Sequence, residues 1–198
     1  MKVIVKDESG NEKEVVVTKD EGIREGTTVA SLGKLAPAFK KDGSTTAGNS
    51  SQVSDGAAAV LFMKRSTAEK LKLPILARFR SFSVVGVPPK IMGVGPAYAI
   101  PAALKQAGLT KDDISVFEIS EAFASQATYS ADKLGLDYAK VNPLGGAIAL
   151  GHPLGCTGAR QIATLLPELR RRKGKYGMTS MCIGSGMGAA SVIENEQL

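Results

Sequence analysis

One histidine and two cysteines carry most of the reactive chemistry in this 198-residue chain. His152 stands in Gly151-His152-Pro153-Leu154-Gly155. An imidazole titrates near neutral pH and suits proton transfer. The flanking Gly and Pro fix the backbone and admit a ligand to close range. A lone histidine is more often structural, but this one lies in a loop ahead of a helix, whose N-terminus favours nearby negative charge. Both readings stand. Cys182 ends a strand in Met181-Cys182-Ile183-Gly184-Ser185-Gly186. It reads either as an inert core thiol or as a proton carrier beside glycine N–H groups that can bind an oxyanion. A thiol with a pKa of about 8.5 is matched to exchange protons with a second thiol. Cys156 falls at a helix start, where a thiol pKa can drop, and is read as a packing residue. Glu118 and Glu121 flank Ser120 at a strand-to-helix turn. Ser120 is the expected N-cap, with Glu121 favouring the positive helix end. Little in the spacing supports a catalytic carboxylate pair. One His and two distant Cys make no recognised metal-ligand set.

The elements that must position these groups follow from periodicity. Lys2–Lys6 and Glu14–Thr18, either side of Ser9-Gly10-Asn11, predict a hairpin with nothing nearby to cover it. Residues 19–52 predict irregular connection, with a short helix near Val29–Leu35. The apolar run Ala57–Met63 predicts a buried strand. Thr67–Leu71 predicts a short helix before Pro74, and Ile75–Val87 a strand. Pro96–Gly108 predicts a helix that tolerates Pro101 near its start. Ile114–Ile119 is a strand, and Glu121–Leu134 a helix stopped by Gly135. Residues 141–158 form a Gly/Pro-rich loop, and Ala159–Arg172 a helix whose basic end, Arg170 to Lys173, complements the helix dipole. Tyr176–Ile183 and Ala189–Ile193 are strands joined by a glycine loop, hence antiparallel neighbours. Strands alternating with helices predict an α/β fold with a mixed sheet.

Composition narrows the classes. Hydrophobic residues make up 43% and charged residues 22%, enough for a packed core. A net charge of +6 admits anionic partners. No finger spacing or aromatic-interleaved basic stripe accompanies it, so no nucleic-acid partner is expected. The longest uncharged stretch, residues 141–159, is broken by two Pro and five Gly. A membrane span wants about 20 mostly apolar residues. Two cysteines make no disulfide framework, and the expectation is a soluble protein of a reducing compartment. The terminal Glu-Gln-Leu does not match the Ser-Lys-Leu peroxisomal address, and no targeting start is visible.

Several segments together resemble the thiolase family, nearest its plant-type peroxisomal 3-ketoacyl-CoA branch. They are Thr46-Ala47-Gly48-Asn49-Ser50-Ser51 with Asp55-Gly56-Ala57, Ile91 to Ala97, and Glu121-Ala122-Phe123-Ala124. The most specific are Gly145-Gly146-Ala147 through Gly155 and Cys182 through Gly188. The resemblance implies a thiolase-like α/β fold with a mixed five-stranded sheet between helices. It assigns residues 1–45 to the end of a loop domain, 46–75 to the end of a first half, and 76–198 to a C-terminal domain. It implies thiolysis of a 3-ketoacyl-CoA by coenzyme A, in fatty-acid β-oxidation, with coenzyme A as substrate and no cofactor. His152 matches the residue that activates the nucleophile, and Cys182 the acid/base. Gly184 matches an oxyanion donor, Ser51 a pantetheine contact, and Phe123 a pocket wall. The implied location is the peroxisome.

Three departures accompany the resemblance. Neither cysteine matches the family's nucleophile, which lies in a half not represented here. Ser120 replaces the Asn of Asn-Glu-Ala-Phe, and losing one such oxyanion-site donor typically costs roughly 2.7–4 kcal/mol. Leu144 replaces a polar residue in Asn142-Pro143-Leu144-Gly145-Gly146. Without a nucleophile an acyl-enzyme cannot form, so the expectation is an incomplete family member, inactive or impaired alone. The alternative is a non-catalytic module that binds coenzyme A, dimerises, or associates with a full-length thiolase. Half of a two-sheet fold exposes an apolar face that invites association. A reading in which Cys182 itself is the nucleophile is the least supported. A single histidine separates the chain from the ketoacyl synthases, which pair their cysteine with two.

Overall fold

β4 (Ile114–Ile119) and β5 (Tyr176–Ile183) lie side by side and parallel in the computed structural model, which describes residues 1–19 and 22–198. The rest of the sheet grows from that pair. β5 turns through Gly184 to Gly186 into β6 (Met187–Asn195), antiparallel as a short connection requires. β3 (Ala77–Gly86) pairs antiparallel with β6, with a bulge between Phe79 and Ser81. The order β3-β6-β5-β4 makes the mixed sheet that the strand and helix alternation predicts.

Helices cover both faces because β4 and β5 are apolar on both. Phe117 and Ile119 pack with Met178 against Ile100, Ala103 and Leu104 of α3 (Pro96–Ala107) and Ala131 of α4 (Ala124–Leu134). Val116 and Ile193 pack on the opposite face against Leu165 and Leu169 of α6 (Thr157–Arg172). Burying one such side chain stabilises by about 1.5–3 kcal/mol. α3 opens on Pro96, where a missing N–H is harmless, and α3 and α4 close on Gly108 and Gly135 in the left-handed conformation. The basic run closes α6 as expected, although the left-handed position falls on Lys173 (φ 52°). Arg171 and Arg172 fold back onto the carboxylate of Glu168 and are occupied there.

The amino-terminal third is less regular. β1 (Lys2–Lys6) and β2 (Glu12–Val16) form the expected hairpin, exposed except at the half-buried cross-strand pair Val3 and Val15. α1 (Val29–Leu32) is a single turn, and α2 (Arg65–Lys70) leads into β3. No helix among the described residues is long and apolar enough to cross a membrane.

Three expectations need correction. The run Ala57–Met63 is not a buried strand: it pairs with no strand among the described residues, and Leu61 is 80% exposed. An apolar run becomes a strand only beside a strand edge that can take its hydrogen bonds, and none here reaches it. The run instead borders an open apolar groove of about 1340 Å³ with Phe79, Ile162, Leu166 and Ile193. Ser120 does not cap α4. The chain bends at Ala122 and Phe123 is extended (φ −142°, ψ 145°), so the helix starts at Ala124 and the Gln126 side chain accepts from the Phe123 N–H. The helix end at which Glu121 was expected is therefore elsewhere.

The sheet has four full strands, not five. The fifth place, outside β4, is held by one parallel bridge between Val141 and Phe117. Asn142 then continues the ladder with its side chain. Its N–H donates to the Phe117 carbonyl (2.8 Å), its Oδ1 accepts from the Ile119 N–H (2.8 Å), and its Nδ2 donates to the Ile119 carbonyl (2.9 Å). A side-chain amide thus supplies what a fifth strand's backbone would. Asn142→Ala leaves a buried donor and acceptor of β4 unpaired, each worth about 1–3 kcal/mol. We expect it to lower the urea midpoint by the equivalent of about 2–4 kcal/mol at unchanged slope. A loss below about 0.5 kcal/mol would show that water replaces the amide.

Candidate active site

The carboxyl ends of β4 and β5 point to one rim of the sheet, where ligands bind in open α/β sheets. Four peptide segments meet on that rim: residues 50–54, the 120–123 turn, the 142–156 loop and the end of β5.

Residues 50–54 lace two of these segments together. Ser50 bridges Phe123, and the Ser51 N–H and hydroxyl both donate to the Ala122 carbonyl (3.0 and 2.9 Å). Two residues on, Val53 bridges His152, whose N–H donates to the Gln52 carbonyl (2.8 Å). The structure therefore brings Ser51, Phe123 and His152 onto one strip of backbone, although they lie 101 positions apart at the extremes. The Phe123 ring is partly exposed and meets Phe39 edge-on at 5.9 Å. Nothing in the residues around Phe39 signals that contact, because it depends on the fold-back of the connection.

The His152 loop is shaped by two glycines. Gly151 has φ of +104°, and a side chain there would run into Ser54 Oγ. Gly146 passes so close to the Glu121 carboxylate that a Cβ would collide with it. Glu121 accepts from Asn142 Nδ2 and from the Ile148 N–H (3.2 Å) of α5 (Ala147–Leu150). So Glu121 braces the loop from beneath, while Leu144 at its tip is half exposed. Burial, followed by the charge of Arg160, pushes the His152 imidazole below its usual range. The ring is therefore neutral at physiological pH, the form that can accept a proton.

Cys182 is half-buried at the end of β5. Burial pushes its thiol up, so it stays protonated at neutral pH. The loop beyond it, with Gly184 exposed and no atom within 4 Å of a Cβ placed there, presents open backbone to the same rim. Met181, the neighbour of Cys182, fills the space that a side chain at Gly158 near the start of α6 would need. Cys156 is half-buried, with its sulfur on the side of Gly56.

Glu118 and Ser120 project beneath α6 and are fully buried. Glu118 pairs with Arg160 (3.0 Å), and Glu121 belongs to the loop brace, so the two carboxylates do not share a task. The Ser120 hydroxyl has no hydrogen-bond partner among the described residues, nor do Glu118 Oε1 and Gln161 Oε1. Sequence reasoning passed over Arg160 and Gln161. Their signal was a polar Glu118 inside an otherwise apolar strand, matched by polar residues on the buried face of an amphipathic helix.

Burial pushes the Glu118 carboxyl up to about 7, and Arg160 opposes this without overcoming it. A carboxyl raised on folding stabilises below its unfolded pKa and loses that contribution as pH rises through its folded value. Stability should therefore fall between about pH 5 and 7 by up to one proton's slope, about 1.4 kcal/mol per pH unit. Urea unfolding across that window should show the slope in the unsubstituted chain and its loss in Glu118→Gln; equal slopes in both would contradict the assignment. For Cys182, alkylation in a Cys156→Ser background should reach half its limiting rate at a pH above that of a free cysteine. A midpoint at or below the free value would mean the thiolate is stabilised.

Comparison with known proteins gives the family and the fold. The family described as "Thiolase, C-terminal domain" matches residues 73–195, and "Thiolase, N-terminal domain" matches residues 2–66. Human peroxisomal 3-ketoacyl-CoA thiolase is 68% identical over 191 residues, covering 96% of this chain and 45% of that protein. Peroxisomal 3-ketoacyl CoA thiolase 1 of Petunia hybrida is 65% identical over 194 residues, covering 96% and 42%. The dimeric peroxisomal thiolase of Saccharomyces cerevisiae superposes with a TM-score of 0.85 at 57% identity, covering 98% of this chain and 48% of that one. Human mitochondrial 3-ketoacyl-CoA thiolase in complex with CoA gives 0.86 at 49% identity, covering 92% and 46%. The chain spans a little under half the length of these relatives. Its matched domains and its sheet identify it as a member of the thiolase family.

Proposed function

We propose that the chain supplies the acid–base half of a 3-ketoacyl-CoA thiolase active site. The observation that carries this reading is geometric: the 50–54 strip joins the Phe123 turn and the His152 loop on the rim where the Cys182 strand ends, with burial pushing the His152 imidazole down and the Cys182 thiol up.

In this reading a cysteine thiol outside these 198 residues is the nucleophile, since neither Cys156 nor Cys182 matches that role. His152 takes its proton, and the thiolate attacks the 3-keto carbon of the substrate. The bond between C2 and C3 breaks, and its electron pair leaves as the enolate of acetyl-CoA. Cys182 gives its proton to that carbon. The Cys182 thiolate then takes the proton of incoming coenzyme A, whose sulfur attacks the acyl-enzyme thioester; the bond to the enzyme sulfur breaks, the shortened acyl-CoA leaves, and the expelled thiolate takes back the proton from His152. The Gly184 N–H faces an oxyanion, while Ser51 and Phe123 line the pantetheine path; Ser120, buried beneath α6, makes no direct contact with substrate. Coenzyme A enters as a substrate. The apolar run Ala57–Met63 and its groove would be covered by the remainder of a thiolase, supplied in the same chain or by a partner. The names of the peroxisomal relatives support a peroxisomal location.

The test is thiolysis of acetoacetyl-CoA by the chain alone and after co-refolding with the amino-terminal half of a peroxisomal relative. We expect no turnover alone and measurable turnover from the mixture, falling roughly 10²–10⁴-fold with His152→Ala or Cys182→Ser, as is typical for proton-transfer residues. Turnover by the chain alone that survives both substitutions would refute the reading. A folded mixture that binds coenzyme A without turnover would favour a binding module.

A further inference from the structure

Cys182 stands directly across from Gly188 in the pairing of β5 with β6, and the glycine loop joins the two. Backbone alone lies against the end of that hairpin. A side chain on Gly188 would strike the Gly95 carbonyl, and one on Gly95 would lie 2.7 Å from Gly188 Cα, so the two backbones touch. At the loop itself the Val87 N–H donates to the Gly186 carbonyl (2.8 Å), and a side chain on Gly186 would strike the Val87 carbonyl. Residues 87–95, which include the short 3₁₀ helix Pro89–Val94, therefore bear on the Cys182 loop at both their ends.

Gln126 holds the middle of this bed. From the first turn of α4 its Nε2 donates to the Gly93 carbonyl (3.0 Å). Its Cβ and Cγ lie over Gly93, 3.2 and 3.3 Å from where a Cβ would stand there. Its Oε1 accepts the Phe123 N–H at 3.5 Å, the long limit for such a bond. The side chain is buried. A residue that only capped α4 would need an acceptor alone. Here the donor is aimed at a second segment, and the missing side chain of Gly93 leaves room for the stem that carries it.

We propose that Gln126 is a positioning residue for Cys182 and the Gly184 N–H: it clamps residues 87–95, which set the Cys182 loop against the Phe123 wall. Proton transfer and oxyanion contacts need close registration, and a misplacement of about 1 Å can cost about 10²-fold in rate. The inference rests on the role proposed above for Cys182. Its first test reads the loop and not turnover, so the two can fail separately.

Gln126→Met removes both hydrogen bonds while keeping a stem of similar length. Amide hydrogen exchange of the labelled chain, followed by NMR, compares it with the unsubstituted chain. The expected result is exchange about tenfold faster at Val87 and across residues 182–188, the size of one net hydrogen bond lost, with β4 keeping its rates. Acceleration confined to α4 would overturn the proposal, because Gln126 would then only cap the helix. Equal acceleration in β4 and at residues 182–188 would also overturn it, because the substitution would then act through global stability. Should Gln126→Met fail to fold, Gly93→Ala presses a methyl against the Gln126 stem from the other side. Faster exchange at residues 182–188 is again expected, and unchanged rates there would overturn the proposal. In co-refolded enzyme that turns over, Gln126→Met should lower kcat by more than it raises KM for coenzyme A. A change in KM alone would mean that Gln126 serves only the Phe123 wall, and would overturn the proposal.

Discussion

The Gln161 amide bridges β4 and β5 where those parallel strands end, and the rest of the site depends on that bridge. A carbonyl oxygen has two lone pairs, and that of Ser180 already accepts the Ser120 N–H (2.8 Å). Gln161 Nε2 donates to it and to the Glu118 carbonyl as well, which holds α6 onto the sheet at that point. The loop carrying His152 runs directly into that helix, so the amide also fixes where the imidazole can be. Cys182 lies two residues beyond Ser180 on the same strand and inherits its place from the same contact.

Side chains repeatedly do backbone work on this rim. Asn142 completes the ladder of β4, Gln126 accepts from the first N–H before α4, and Glu121 receives the Ile148 N–H. Each takes the place of a regular hydrogen bond just where the chain must leave regular structure. The backbone can then open toward a ligand while its polar groups stay paired. The Ser51 hydroxyl, donating to the Ala122 carbonyl, belongs to the same pattern.

Much of this was legible in the sequence, for physical reasons. Strands β4 to β6 and helices α3, α4 and α6 have strong periods, and glycine or proline marks their ends. His152 and Cys182 stood out by residue type and glycine-rich setting. The run Ala57–Met63 misled because apolarity calls for cover, and nothing among the described residues covers it or offers it a strand edge. Ser120 misled because a hydroxyl before a helix resembles a cap whether or not the helix begins there. Arg160, Gln161 and Phe39 stayed hidden because their roles arise from contacts between segments distant in sequence.

The proposed function requires that Ser51, Phe123, His152 and the Cys182 loop form one coenzyme A site. The most direct measurement is an NMR titration of the isotope-labelled chain with coenzyme A, following backbone amide shifts. Saturable shifts concentrated on residues 50–54, 122–123, 151–152 and 182–186 are the predicted result. Shifts confined to the hairpin or to the basic end of α6, with those segments unmoved, would contradict the account.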